Sequence, residues 1–292
     1  MRAADRPLIE MIVDLDPFEM PLSMLLPAAS VEALEPWRAL FDGEHIDYAR
    51  GMLRIAIKSH VVRVGGATIL VDACVGEHKD RPQRPDWHQR RGTGFLEKLS
   101  RVGCRLEDID IVMCTHLHAD HVGWNTRLDN GRWIPTFPNA RYVFSRKDYE
   151  FFKVQTHEAH NREAYFDSVL PVIEAGQADI VDSDHLVHRE IEDGIWLQDA
   201  AGHSPGCVVV NARRGGSRAM FMGDVIHHPI QLVRPDLAFF ADEDRAEACA
   251  TRQCLLAEAA DCGAILLPAH FPDPPAGRVR RAGKYFAYDF KK

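Results

Sequence analysis

Several features are scarce or missing in this 292-residue chain, and each absence narrows what it can be. No apolar run approaches the roughly 20 residues of a membrane-spanning helix. The opening stretch, MRAADRPLIEMIVDLDPFEMP, lacks the long apolar segment of a secretory signal. A cytoplasmic location and no membrane partner are therefore expected. Lysine and arginine number 35 against 43 acidic residues, a formal charge of −8, which argues against a general nucleic-acid binder. The seven cysteines form no C-x-x-C pair, so neither a zinc ribbon nor a redox dithiol is indicated. Free, mostly buried thiols are the expectation. Gly92–Gly94 lacks the spacing and the lysine of a phosphate loop. Low-complexity linkers and short-period repeats are missing too, so one continuous domain over residues 1–292 is expected. Residues 1–50 would then be an extension that covers a pocket or meets a second copy.

What is present is a core: 46% of the residues are hydrophobic. Ile55–Val64 and Ala67–Val71 read as a hairpin closed by Gly65–Gly66. Thr93–Val102 has helical spacing and stops at Gly103. Ile109–Cys114 suits a buried strand, and Arg141–Phe144 a further one, followed by a helix through Lys153. Residues 154–193 lack a period and read as one helix plus loops that could cover a site. Ile195–Leu197, Cys207–Asn211 and Ala219–Met222 are strand candidates, with Arg213–Gly216 a hairpin turn. Asp242–Cys262 reads as a helix and Ala264–Pro268 as the last strand. Loose alternation of strands and helices predicts a mixed α/β fold with layered sheets.

The chemistry concentrates in THLHADHVG, residues 115–123. Imidazole and carboxylate are ligands for zinc or a similar divalent ion. His116 and His118, one residue apart, face the same side of an extended backbone. Asp120 and His121 follow where the chain must turn, and Gly123 would permit the turn. Three more candidates sit just past apolar runs: His203 in GHSPG, Asp224 in GD, and His270 after AILLPA. All could project from one sheet edge into a common cleft. The remaining histidines, His45, His60, His78, His88, His157, His160, His185 and His188, read as ordinary surface or core residues. Trp124 reads equally as packing or as substrate contact.

The ordered set H-x-H-x-D-H, GHSPG, GD and a late histidine resembles the metallo-β-lactamase superfamily, from the early hairpin to His270. The resemblance implies an αββα sandwich with metals at the edge of its two sheets. It implies two divalent ions, zinc foremost. His116, His118 and His203 would hold one, Asp120, His121 and His270 the other, and Asp224 would bridge them. The implied activity is a dinuclear hydrolase in which a hydroxide shared by the metals attacks a small lactone or carboxylic ester.

Asp224 argues against a true β-lactamase, and His118 stands where a flavodiiron protein would carry glutamate. The lactonase and organophosphate-hydrolase branch is the better likeness. Acyl-homoserine lactonases typically carry a tyrosine three residues past the bridging aspartate. GDVIHHP puts His227 there, which leans toward methyl parathion hydrolases and a phosphotriester substrate. His227 and Asp120 are the candidate catalytic residues, with weaker claims for His228. An iron-dependent persulfide dioxygenase is a remote alternative that would leave the second ligand set idle. Relatives of this kind are often homodimers, and Phe18, Met24, Leu25 and Leu26 could cover the site or join a partner chain.

Overall fold

Fourteen strands gather into two sheets, in a computed structural model that describes residues 9–154, 159–189, 194–272 and 276–290. The first sheet is built from β1 (Ile9–Pro21), β2 (Ile46–Asp47), β3 (Met52–Val64), β4 (Ala67–Val71) and β5 (Ile111–Met113). After a separate hairpin, β6 (Thr126–Asp129) and β7 (Arg132–Pro135), it continues with β8 (Arg141–Ser145) and β9 (Ala178–Val181). Its order is β1-β3-β4-β5-β8-β9, with β2 beside β3. The pairs β4–β5, β5–β8 and β8–β9 are parallel.

The second sheet runs in chain order. It comprises β10 (Leu186–Arg189), β11 (Gly194–Asp199), β12 (Val208–Arg214), β13 (Ser217–Gly223), β14 (Ile265–Pro268), β15 (Gly277–Ala282) and β16 (Tyr285–Phe290). Only β13 and β14 pair in parallel, joined by the helix Arg245–Cys262. Asp244 caps that helix by accepting from the Glu247 N–H at 2.9 Å, and Gly263 ends it in the left-handed region.

The sheets meet face to face. Val62, Val71 and Met113 of the first pack with Leu197, Val210 and Phe221 of the second. On its outer face the first sheet buries Phe95, Leu99 and Phe152 from helices. The second buries Leu255, Leu256 and Ala259 of Arg245–Cys262. The order helix, sheet, sheet, helix is the expected αββα sandwich, and nonpolar burial on both faces of each sheet holds it together. No helix among the described residues is long and apolar enough to cross a membrane.

The two glycine hairpins form as expected. Other expectations are corrected. Residues 154–193 hold a helix (Ala159–Ala164), a π-turn (Tyr165–Val169), a second helix (Leu170–Glu174) and the strands β9 and β10, while 155–158 and 190–193 lie outside the described residues. Ala264–Pro268 is not the last strand, because β15 and β16 complete the sheet beyond it. Within residues 1–50, β1 pairs with β3 along Ile9–Pro21, interrupted by bulges near Leu15.

Candidate metal centre

The elements that carry the candidate ligands end at one rim. THLHADHVG leaves the carboxyl end of β5, Asp224 follows β13 directly, and His270 lies just past β14. His203 sits in the loop between β11 and β12. Carboxyl ends of parallel strands are where open α/β sheets place their ligands. Gly123 is needed for a different reason from the one expected. Its backbone is ordinary right-handed helix, but a Cβ there would lie 1.9 Å from the Val75 carbonyl oxygen. Close approach, rather than a turn, requires the glycine.

The seven side chains converge in two groups: His116, His118, His203 and Asp224, and then Asp120, His121 and His270. In the first, His118 Nδ1 lies 3.0 Å from His116 Nε2 and 2.9 Å from His203 Nε2. Asp224 spans both. Its Oδ2 is 3.2 Å from His203 Nε2, and its Oδ1 is 3.0 Å from His121 Nε2 and 2.9 Å from His270 Nε2. Asp120 Oδ2 stands 3.8 Å from His270 Nε2 and 3.9 Å from His121 Nε2.

The outward nitrogens fix what the inward ones offer. His121 Nδ1 faces Asp72 Oδ2 at 3.0 Å, His203 Nδ1 faces Asp242 Oδ1 at 2.9 Å, and His270 Nδ1 faces the Ala56 carbonyl at 2.8 Å. Each acceptor holds an N–H outside and leaves a lone pair inside, the usual arrangement behind metal-binding histidines. Three imidazole nitrogens about 3 Å apart cannot all be satisfied by one another's protons. A divalent cation between them resolves the crowding, so the donor set fits the ions that the resemblance implies.

Electrostatics divide the ligand histidines. Burial holds His116 and His118 well below their ordinary pKa, reinforced by neighbouring imidazoles, so both offer lone pairs at neutral pH. Burial opposes charge on Asp224, but the histidines around it outweigh that and keep its carboxyl well below the usual range. Burial also opposes charge on His203, His121 and His270, yet Asp224 and the other carboxylates beside them raise all three, His203 to about 9, so that without a cation each holds a proton that a bound ion would displace.

A pocket of about 550 Å³, open solvent included, lies over this rim. Phe18, Met20, Leu25, Ile55, Phe239 and Phe240 make an apolar wall, and Arg84, Trp87, His160 and Asn161 line it too. Leu26 is buried in the neighbouring apolar cluster and Met24 is exposed. His227 lines the pocket, with Nε2 3.0 Å from Asp224 Oδ2 and its ring stacked 3.6 Å from Phe239. Burial lowers its pKa to about 4 against the pull of Asp224.

His228 is occupied instead: its Nε2 donates to the His45 carbonyl and its Nδ1 accepts from the Ile230 N–H. Trp124 is buried and stacked on Phe95, a packing residue. His160, read from the sequence as ordinary, is a pocket residue, and His157 lies outside the described residues. All seven cysteines are free; Cys74, Cys104, Cys114 and Cys207 are buried, while Cys254 and Cys262 are exposed.

Sequence reasoning passed over Asp72, Asp148 and Asp242. Asp72 stands just past β4, the placement that marks the ligands, and that signal could have found it. Asp242 and Asp148 carry no such mark.

With this geometry in view, the chain belongs to the metallo-beta-lactamase superfamily, whose profile matches residues 54–270. Over 109 residues it is 31% identical to an N-acyl homoserine lactonase of Bacillus cereus, 37% of this chain and 34% of that protein. The match thus spans about a third of that relative. Among solved structures the chain is similar to AidC, a dizinc quorum-quenching lactonase. The TM-score is 0.78 at 22% identity, covering 97% of this chain and 94% of that one. It is also similar to the hydrolase AbOPH, with TM-score 0.74 at 22% identity over 97% and 95%. At these identities the two structures establish the fold.

Proposed function

We propose that this chain is a dinuclear metal-dependent hydrolase of lactones or small carboxylic esters. One observation carries the reading: inward-facing imidazole nitrogens and the two oxygens of Asp224 converge in two adjoining groups. His116, His118 and His203 would hold one ion, Asp120, His121 and His270 the other, and Asp224 both. Bound there, two zinc-like ions would supply an activated water near neutral pH and a Lewis acid for the substrate oxygen.

The rest is the work of side chains. The apolar wall of Phe18, Met20, Leu25 and Phe239 would seat the substrate's hydrocarbon part and exclude water from the reacting bond. Asp120 is only partly buried and opens on the pocket, where its carboxylate can accept a proton. His227, uncharged at neutral pH, keeps Nε2 on Asp224 and presents Nδ1 without a partner among the described residues. With its one proton on Nε2 toward Asp224, its Nδ1 is an acceptor, placed to take a hydrogen bond or a proton from the substrate or the attacking water. The assembled second group favours two ions over the single iron of a persulfide dioxygenase.

Phosphotriester hydrolysis on the same site is the second reading, favoured by His227 in the place where acyl-homoserine lactonases typically carry tyrosine. A panel of an acyl-homoserine lactone, an aryl ester and an aryl phosphotriester tests both, on protein of measured metal content. Turnover of the lactone or ester that stops on chelation and returns with zinc supports the first reading. Turnover of the phosphotriester alone replaces it with the second. Metal-loaded protein inert to all three contradicts both.

A further inference from the structure

Asp148 is a fully buried carboxylate on the helix Arg146–Val154, outside the pocket and outside both ligand groups. Its Oδ2 accepts from the Leu117 N–H at 3.1 Å, and Leu117 lies between His116 and His118. Its Oδ1 accepts from the Gly206 N–H at 2.7 Å and from the Ser204 hydroxyl at 2.8 Å. Those two residues belong to the loop that presents His203. The loop lies directly on the start of the helix: a Cβ on Gly206 would sit 2.3 Å from the Asp148 nitrogen. None of these bonds goes to an imidazole. One carboxylate therefore ties together two segments more than 80 residues apart that supply the three histidines of the first group.

Asp242 faces His203 alone among the ligands, and Asp72 faces His121 and also accepts from the Thr115 N–H at 2.8 Å within the same segment, whereas Asp148 bridges that segment and the His203 loop. We propose that Asp148 is a positioning residue for the first metal group alone, setting the distance between the His116–His118 segment and His203 and hence that group's affinity for a cation. The inference rests on the two-ion reading above. The Asp120–His121–His270 group has supports of its own in Asp72 and the Ala56 carbonyl, and it is expected to keep its affinity without Asp148. Asp148→Asn preserves volume but replaces one acceptor oxygen with a donor that faces an N–H or a hydroxyl. One of the two segments is then released.

The test titrates metal-stripped full-length protein with zinc against a chromophoric chelator, and with cobalt(II) by its visible absorption. Wild-type protein should bind two equivalents. In Asp148→Asn one equivalent should keep its wild-type affinity and the other should weaken by about 10- to 100-fold, the scale seen when groups that support metal ligands are removed. Ser204→Ala, which removes one bond and keeps the carboxylate, should weaken the same equivalent by less. Two unchanged equivalents in Asp148→Asn, or equal weakening of both, would overturn the proposal while leaving the two-ion reading intact. Should Asp148→Asn fail to fold, unchanged or evenly weakened binding in Ser204→Ala would overturn it equally. Wild-type protein binding fewer than two equivalents would overturn both.

Discussion

Asp224 turns one carboxylate oxygen toward each half of the cluster, and His227 leans on it from the pocket side. That contact lets the role of His227 be separated from metal binding. Removing the imidazole should leave two ions in place, because neither group depends on it. His227→Ala is expected to lower kcat by about 10²-fold, the usual scale of a positioned general base. Full metal content with unchanged turnover would remove His227 from the reaction.

Four ligands were readable from the chain because their spacing is local, and His203, Asp224 and His270 because each follows an apolar run. The carboxylates behind them were not, because their partners are remote. Asp242 meets His203 across 39 residues, and Asp148 meets Leu117 across 31. Composition gives no hint of such pairings.

A strap, residues 72–92, holds four of the five positive-φ non-glycine residues among those described. It is anchored by side chains without solvent exposure. Arg81 makes a two-pronged contact with Asp167 at 2.8 and 2.9 Å, and Lys79 donates to Thr126 Oγ1 at 2.7 Å. Asp167 lies in the π-turn Tyr165–Val169, so two irregular segments lock each other and deliver Arg84 and Trp87 to the pocket.

Burial lowers Lys79 from 10.5 to about 7, only partly offset by Asp167. Between those values the unfolded chain binds more protons than the fold, so this lysine makes the protein more stable as pH rises from 7 toward 10.5. Lys79→Met should remove that contribution. Denaturant titrations at pH 7 and pH 9 should show wild-type stability gaining up to about 2 kcal/mol relative to the variant. Equal pH dependence in both would show that Lys79 stays charged in the fold.

The strands that sequence reading missed share physical reasons. β1 mixes acids and Pro17 with apolar residues and breaks its alternation at two bulges. β9 is only half buried, and β15 carries three arginines. Central strands such as β12 and β13 were legible because burial on both faces demands continuous apolar runs.

At the scale of the whole molecule, two packed sheets bring segments from residues 116 to 270 to one rim, where they gather largely buried acid and imidazole. Cations that bind the folded rim and not the unfolded chain stabilise the fold by mass action. Stripping with chelator should therefore lower the melting temperature, and adding zinc should restore it. A melting temperature indifferent to both would mean the rim binds no ion.

The most direct test of the account counts zinc by elemental analysis after dialysis, in wild-type protein beside His203→Ala and His270→Ala. Two ions per chain in the first and one in each variant is the predicted result. Fewer than two in wild type, or two in both variants, would contradict it.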